Sequence, residues 1–315
     1  MQAMAQQLLT HLSIFNLPAF SELPDDNRRY ERIDVECDGR FVGTLAGVIV
    51  GETFVSGYGA SFGGMDFIRE RETLEIIMRA IDDTVEQIRR LGVAQICVHS
   101  KPFHYSRNEE YLHFALCRSG FVVAEVNLNL YLDLERFPTP DAYRTGLRHA
   151  PQRQLRLAIA AELDWREASS QEDWVTAYEV LAESRRRNRA TLSLSFEYLV
   201  AMRATFSERV RMFLLENEGH CIAAVLLYAV TPRHAMVMYW GDRGDRMNRT
   251  SADQSPVAVM NLVAYRMIEA GLNSGFRTID LGPVSTNERV NIGNARFKAS
   301  INAIPNIRYT LTRTL

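Results

Sequence analysis

The stretch Gly275-Phe276-Arg277-Thr278-Ile279-Asp280-Leu281-Gly282, followed by Asn294-Ala295-Arg296-Phe297-Lys298-Ala299-Ser300, carries the most information in this chain. The first part is strand-like and closes on an Asp and a Gly. The second holds Lys298, one of only two lysines among 36 basic residues; the other is Lys101. Arginine is always charged and forks around planar acceptors, whereas lysine is a compact point charge on a flexible stem. A lysine in an arginine-dominated chain is therefore a weak sign of a role that arginine would not fill. The competing reading is a solvated cation at a strand end. Asp280 either binds a ligand group or orients Lys298, or caps the turn through Pro283-Val284-Ser285.

Working outward, Ser255-Pro256 reads as an N-cap with proline at the first helical position, opening a helix to about Gly271. Three strands precede it: Val210–Leu215, His220–Val230 and His234–Trp240, then a polar loop from Gly241 to Gln254. Phe297–Ile301 and Arg308–Thr314 read as terminal strands. Ser170-x-x-Asp173 resembles a capping box, and the helix beyond it aligns Trp174, Tyr178 and Leu181. A second helix covers Phe196 to Phe206.

The first half follows a similar plan. A strand from Arg32 to Cys37 ends at the hairpin pair Asp38-Gly39. The return strand leads to a glycine-rich loop, Ser56-Gly57-Tyr58-Gly59-Ala60-Ser61-Phe62-Gly63-Gly64-Met65-Asp66. Leu74, Ile77, Ile81, Val85 and Ile88 mark an amphipathic helix stopped at Gly92. A short strand, a helix over Arg107–Ser119 and a strand over Phe121–Leu134 complete it. On that last strand Val126, Leu128, Leu130 and Leu132 share one face, and Asn127, Asn129, Tyr131 and Asp133 the other. A basic helical stretch from Tyr143 to Ala161, interrupted at Pro151, carries Arg144, Arg148, Arg153 and Arg156. The fold expected is α+β, an internal duplication of strand, loop, helix and strand with mixed central sheets flanked by helices. Its parts are a lead-in over 1–29, a truncated first unit over 30–140, a helical connector over 141–162 and a second unit over 163–315.

Composition sets the outer bounds. A hydrophobic content of 47% and charged content of 23% are those of a globular protein. A formal charge of -2 argues against broad DNA or membrane-surface binding. No apolar run approaches the ~20 residues that span a bilayer. The N-terminus has no basic or long apolar region of a secretory signal. Cys37, Cys97, Cys117 and Cys221 form no C-x-x-C pair, so a reducing compartment is expected, with the cytoplasm as the location and no metal centre. Gly-x-Ser-x-Gly, Walker, dinucleotide and zinc motifs are absent.

The second half resembles the GNAT acyltransferase fold, and the whole chain resembles tandem-GNAT proteins of the FemAB-like class. The resemblance rests on Ser255-Pro256 with Leu262, Ile268 and Gly271, on Gly275-Phe276 through Leu281-Gly282, and on Phe297-Lys298, similar to the family's Phe-Lys. It rests also on Leu147-Arg148-x-x-Pro151-x-x-Gln154-Leu155-Arg156-x-Ala158 and on the loop Ser61-Phe62-Gly63-Gly64. It covers about residues 30–315. The long helical hairpin arm that often marks users of aminoacyl-tRNA is missing. So is the Gln/Arg-x-x-Gly-x-Gly/Ala loop of acyl-CoA users, whose place is taken by Arg243 to Ala252.

The resemblance implies an N-acyltransferase acting on an amine of a small or envelope-precursor molecule. Its donor is acyl-CoA as a co-substrate, with no tightly bound cofactor. Aminoacyl transfer from aminoacyl-tRNA and a catalytically inactive binding protein are the alternatives. The oligomeric state stays open. Lys298 would stabilise the oxyanion, with Asp280 beside it. Tyr239 and Trp240 would flank the donor, with Arg246, Arg249 and the helix start at Ser255 on its phosphates. Gly63, Gly64, Asp66, His104, Tyr105, Ser285 and Phe297 would meet the acceptor. The alternative readings are a simple glycine turn, core aromatics and structural histidines. The run Arg185-Arg186-Arg187-Asn188-Arg189 is either a polyanion contact or a solvated helix end.

Overall fold

The structure is a computed structural model that describes residues 12–23, 29–244, 258–286 and 289–315. In chain order the first strands are β1 (Arg29–Cys37), β2 (Arg40–Val50), β3 (Thr53–Ser56) and β4 (Asp66–Phe67). Helix α1 (Leu74–Arg90), β5 (Gln95–His99), α2 (Glu109–Arg118) and β6 (Val122–Asp133) follow. Then come α3 (Pro140–Thr145), α4 (His149–Ile159), β7 (Asp164–Glu167), α5 (Gln171–Arg187) and α6 (Phe196–Thr205). The remainder is β8 (Val210–Asn217), β9 (His220–Thr231), β10 (His234–Asp242), α7 (Val259–Asn273) and β11 (Thr278–Pro283), then β12 (Ser285–Thr286), β13 (Arg289–Val290), α8 (Ile292–Ser300) and β14 (Ile304–Thr314).

The chain divides into two compact units. One comprises the chain up to Asn129 with Pro283–Val290 and Pro305–Leu315; the other comprises Leu130–Gly282 with Asn291–Ile304. This corrects the expected bounds of 30–140, 141–162 and 163–315. The last strand lies in the first unit, where Thr310–Thr314 of β14 runs antiparallel to His99–Gln95 of β5. The basic connector lies in the second.

In the first unit the strands are ordered β1-β2-β3-β5-β14, then the start of β6, with β4 paired to β2. The β3–β5 pairing is parallel, as a crossover through α1 requires. Helix α1 buries Ile77, Ala80, Ile81, Val85 and Ile88, the face that the helical spacing predicts. They pack with Ile33, Val35, Leu45, Phe54, Ile96 and Leu112 into one core. Thr73 caps α1 by accepting from the Ile76 N–H. The end residues of β6 join the second unit, ordered β6-β11-β10-β9-β8-β7. There β9 is buried from Cys221 to Val230, and α5 lies across β9 and β10. The Ser170–Asp173 capping box forms in full.

Three local readings are corrected. Phe297–Ile301 is not a strand, because Ile292–Ser300 is helical. Asn291 accepts from the Asn294 N–H to cap it, and residues 293–300 contain no β-branched side chain to favour extension. Pro151 does not interrupt the basic helix. It sits in the first turn of α4, where a missing N–H costs nothing, and the break falls earlier, at Gly146–Arg148. Finally, the faces of β6 swap along its length: Asn127 and Asn129 are buried while Val126 is exposed, and only from Leu130 on are the leucines inside.

Candidate functional site

In the second unit β10 and β11 run parallel but pair at only three positions, His234–Thr278, Ala235–Ile279 and Met236–Asp280. Beyond them β10 has an irregularity against β9 between Val237 and Tyr239. An extra residue of this kind bends its strand and increases its twist. Both strands run on past their last pair, so their facing groups need other partners.

Lys298 supplies one. It lies on α8, only 2% exposed, and its Nζ donates to the carbonyls of Leu281 at 2.6 Å and Gly282 at 2.9 Å. Gly282 has a φ of +75°, which a Cβ would disfavour. Its N–H donates to Oδ1 of Asp280 at 2.7 Å, and Asp280 is wholly buried. Burial drives the Lys298 pKa down to about 8. Asp280 opposes that shift and Arg185 adds to it. The two residues expected to carry chemistry are thus together, in an interior setting and not at a surface strand end.

The residues around this point are ordered. Phe297 packs against Trp240 with ring centroids 5.5 Å apart. The Tyr239 hydroxyl accepts from the Ser193 and Leu194 N–H groups and lies 2.6 Å from Ser193 Oγ, while Arg185 stacks over its ring at 5.0 Å. At the end of β10, Asp242 takes Arg187 at 2.6 Å and the Gly244 N–H at 3.0 Å. Arg243 donates to Glu183 at 2.7 Å. Arg185 and Arg187 of the arginine run therefore face unit-2 partners. Arg246, Arg249 and Ser255 lie outside the described residues.

The first unit holds a second interior ammonium. Lys101 follows β5, is 4% exposed, and reaches Asp66 Oδ1 at 2.6 Å, Met65 O at 2.9 Å and Glu109 Oε1 at 3.0 Å. The other oxygen of Asp66 accepts from the Ser13 N–H and Asn16 Nδ2. Burial disfavours the Lys101 ammonium, but Asp66 and Glu109 outweigh it and hold its pKa above the ordinary value. Burial pushes Glu109 up to about 7, against the pull of Lys101. Gly63 and Gly64 turn the chain into this cluster: a Cβ on Gly57 would lie 2.5 Å from the Gly63 nitrogen, and the Gly64 N–H donates to Ser56 Oγ.

Tyr105 is buried, with its ring 4.7 Å from that of Phe62. His104 Nδ1 lies 3.3 Å from Asn306 Nδ2. Ser285 Oγ donates to Asn127 Oδ1 and accepts from the Leu128 N–H. The ammonium that Asp66 grips in this structure is the protein's own. Glu109 was missed because an acid in the first turn of a helix reads as ordinary macrodipole chemistry. The rarity of lysine was the one signal pointing here.

Among the described residues no cluster of His, Cys, Asp and Glu is arranged to hold a metal, and no helix is long and apolar enough to cross a membrane. No protein-family model matches the chain, and no curated protein matches it in sequence. Solved structures do match in fold. FemX superposes with a TM-score of 0.72 at 12% identity, covering 98% of this chain and 94% of that one. The C-terminal domain of a putative lysylphosphatidylglycerol synthetase from Agrobacterium fabrum gives 0.58 at 12% identity, covering 99% and 91%. A tandem GNAT protein from the clavulanic acid biosynthesis pathway gives 0.52 at 13% identity, covering 95% and 87%. With its two mixed-sheet units and its parting parallel strands, the chain has the FemAB-like, tandem GNAT fold.

Proposed function

We propose that this protein transfers an acyl group to an amine, with the chemistry where β10 and β11 part in the second unit. The observation that carries this reading is the Lys298 ammonium, buried just beyond the last β10–β11 pair and aimed at the Leu281 and Gly282 carbonyls. A neutral amine attacks the acyl carbon, the carbonyl electron pair moves to oxygen, and collapse expels the leaving group with the proton the amine gives up. A cation held in a water-poor place stabilises that oxyanion more than it would in water.

Acyl-CoA is the first donor reading, its pantetheine beside Tyr239–Trp240 and its phosphates toward Arg246, Arg249 and Ser255. One observation favours an aminoacyl-tRNA donor instead. At the start of the loop after β10, the Gly244 N–H is already held by Asp242, and Arg187 and Arg243 are paired with carboxylates. That leaves less free donor capacity for a pyrophosphate.

Thermal shift against acyl-CoAs, CoA and charged tRNA identifies the donor; a true ligand at ~100 times its dissociation constant stabilises by ~2.7 kcal/mol. With that donor, Lys298→Ala is expected to lose on the order of 10²–10³ in turnover. Near wild-type turnover in Lys298→Ala, at an unchanged melting temperature, would falsify the assignment. A chain that binds a donor but turns nothing over would be a binding protein.

A further inference from the structure

The arginines of the second unit differ in their partners. Arg166, Arg187, Arg211, Arg243 and Arg266 each hold a carboxylate at 2.6 to 2.7 Å. Arg148, Arg153 and Arg156 pair with no described residue. Arg153 and Arg156 line an open groove of about 270 Å³, together with Arg144, Thr145, His149 and Gln152.

The fold puts them there. Helix α4 buries Leu155 and Ala158, which turns positions 149, 152, 153 and 156 to the opposite side, along one stripe of the helix. Gln152 Nε2 donates to the Arg144 carbonyl and ties α3 to this stripe. Among the described residues, Arg144 alone of the groove's cations has a carboxylate partner, Asp141. The start of α4 adds to the charge: its N-cap Arg148 makes no side-chain cap and its first turn holds no acid. The helix end therefore keeps its partial positive charge uncancelled. Such a concentration in a chain of formal charge -2 is local and not a by-product of a basic protein.

We infer that this groove binds linked phosphate groups, with Arg153 and Arg156 as the principal contacts. Arginine forks bidentately onto phosphate oxygens. At ~1.5 Å rise per residue, positions 149 to 156 spread their donors over roughly 10 Å, a span suited to several joined phosphates and not to one carboxylate. A free polyphosphate-type group and the phosphodiester backbone of a short RNA present the same chemistry. The site stands apart from the acyl-transfer reading, because its residues take no part in the Lys298 cluster.

Calorimetry with inorganic triphosphate and fluorescence anisotropy with a short labelled single-stranded RNA test it, each at several salt concentrations. The proteins are wild type, Arg153→Ala/Arg156→Ala and Lys298→Ala. We expect at least one probe to bind wild type and Lys298→Ala alike. The double variant should bind it at least tenfold more weakly at an unchanged melting temperature. If RNA is the ligand, the salt dependence of log K should flatten by about 1.4, at ~0.7 per lost phosphate contact. Triphosphate binding without RNA binding assigns the groove to a free polyphosphate group, and the reverse assigns it to a nucleic-acid backbone. Failure of both probes on wild type, or equal binding by the double variant, overturns the inference. Neither result bears on whether Lys298 supports turnover.

Discussion

Lys101 in the first unit and Lys298 in the second are the chain's only lysines, both are almost inaccessible, and their surroundings drive them in opposite directions. Lys101 faces two carboxylates within 3.0 Å. Lys298 is held by two neutral carbonyls, with Asp280 near enough to oppose its loss of charge and Arg185 to promote it. Burial disfavours the charged form of both. What differs is how much negative charge is buried alongside. Two carboxylates fix Lys101 as an ammonium, whereas Lys298 sits near 8, close to the point where it gives its proton up. One site reads as a charge balance that holds a loop in place, the other as a cation poised for chemistry.

The largest effect expected from this contrast is on stability at Lys101. Lys101→Met leaves Asp66 and Glu109 buried without their cation. Breaking a buried pair from one side costs about 3–5 kcal/mol, to be read from denaturant unfolding at neutral pH. A loss below ~1 kcal/mol would mean that the carboxylates regain water, and the contrast would fail on this side. Lys298→Met removes an ammonium that was already costly to bury and orphans two carbonyls. Its expected cost is about 1–3 kcal/mol, smaller than at Lys101 even though turnover should suffer far more. Equal stability losses at both lysines would show that the two sites are the same kind of structural pair.

The smallest effects are slopes with pH. The folded-state value of Glu109 is raised, from 4.5 to about 7. Its contribution is therefore fully present below 4.5 and lost as pH rises through about 7. Wild type should lose stability relative to Glu109→Gln across that window. The folded-state value of Lys298 is lowered, from 10.5 to about 8, so its burial penalty is complete below 8 and relieved between 8 and 10.5. Wild type should gain on Lys298→Met there. Parallel pH profiles for wild type and either variant would remove the corresponding half of the comparison.

Much of this was legible in the sequence, and the rest was hidden for identifiable reasons. The stripe from Ile77 to Ile88, the hairpin at Asp38-Gly39 and the Ser170–Asp173 cap are local signals, and the chain obeys them. Lys298 and Asp280 were legible as a pair, but their burial was not, because a strand reading of Phe297–Ile301 set the lysine at a strand end. The helix follows from the Asn291 cap. The partners of Lys101 come from β4 and the first turn of α2, far apart in sequence and brought together only by packing. The exposed valine and buried asparagines of β6 invert the usual pattern because Ser285, on a distant segment, satisfies Asn127 from inside. No reading of β6 alone contains that fact.

A ribosome delivers the residues up to Asn129 well before β14. Yet β14 is the strand that occupies one edge of β5, with Leu311 opposite Val98 and fully buried. Until residues 130–304 have been made, β5 has an open edge, the kind of surface that templates pairing with another chain. Domains commonly fold in the order of their synthesis, but the sheet of the first unit is completed only by the last strand made. All residues of the second unit precede Pro305, whereas the first includes the strand that follows it. Over that interval the open edge of β5 is a surface on which nascent chains can pair with one another.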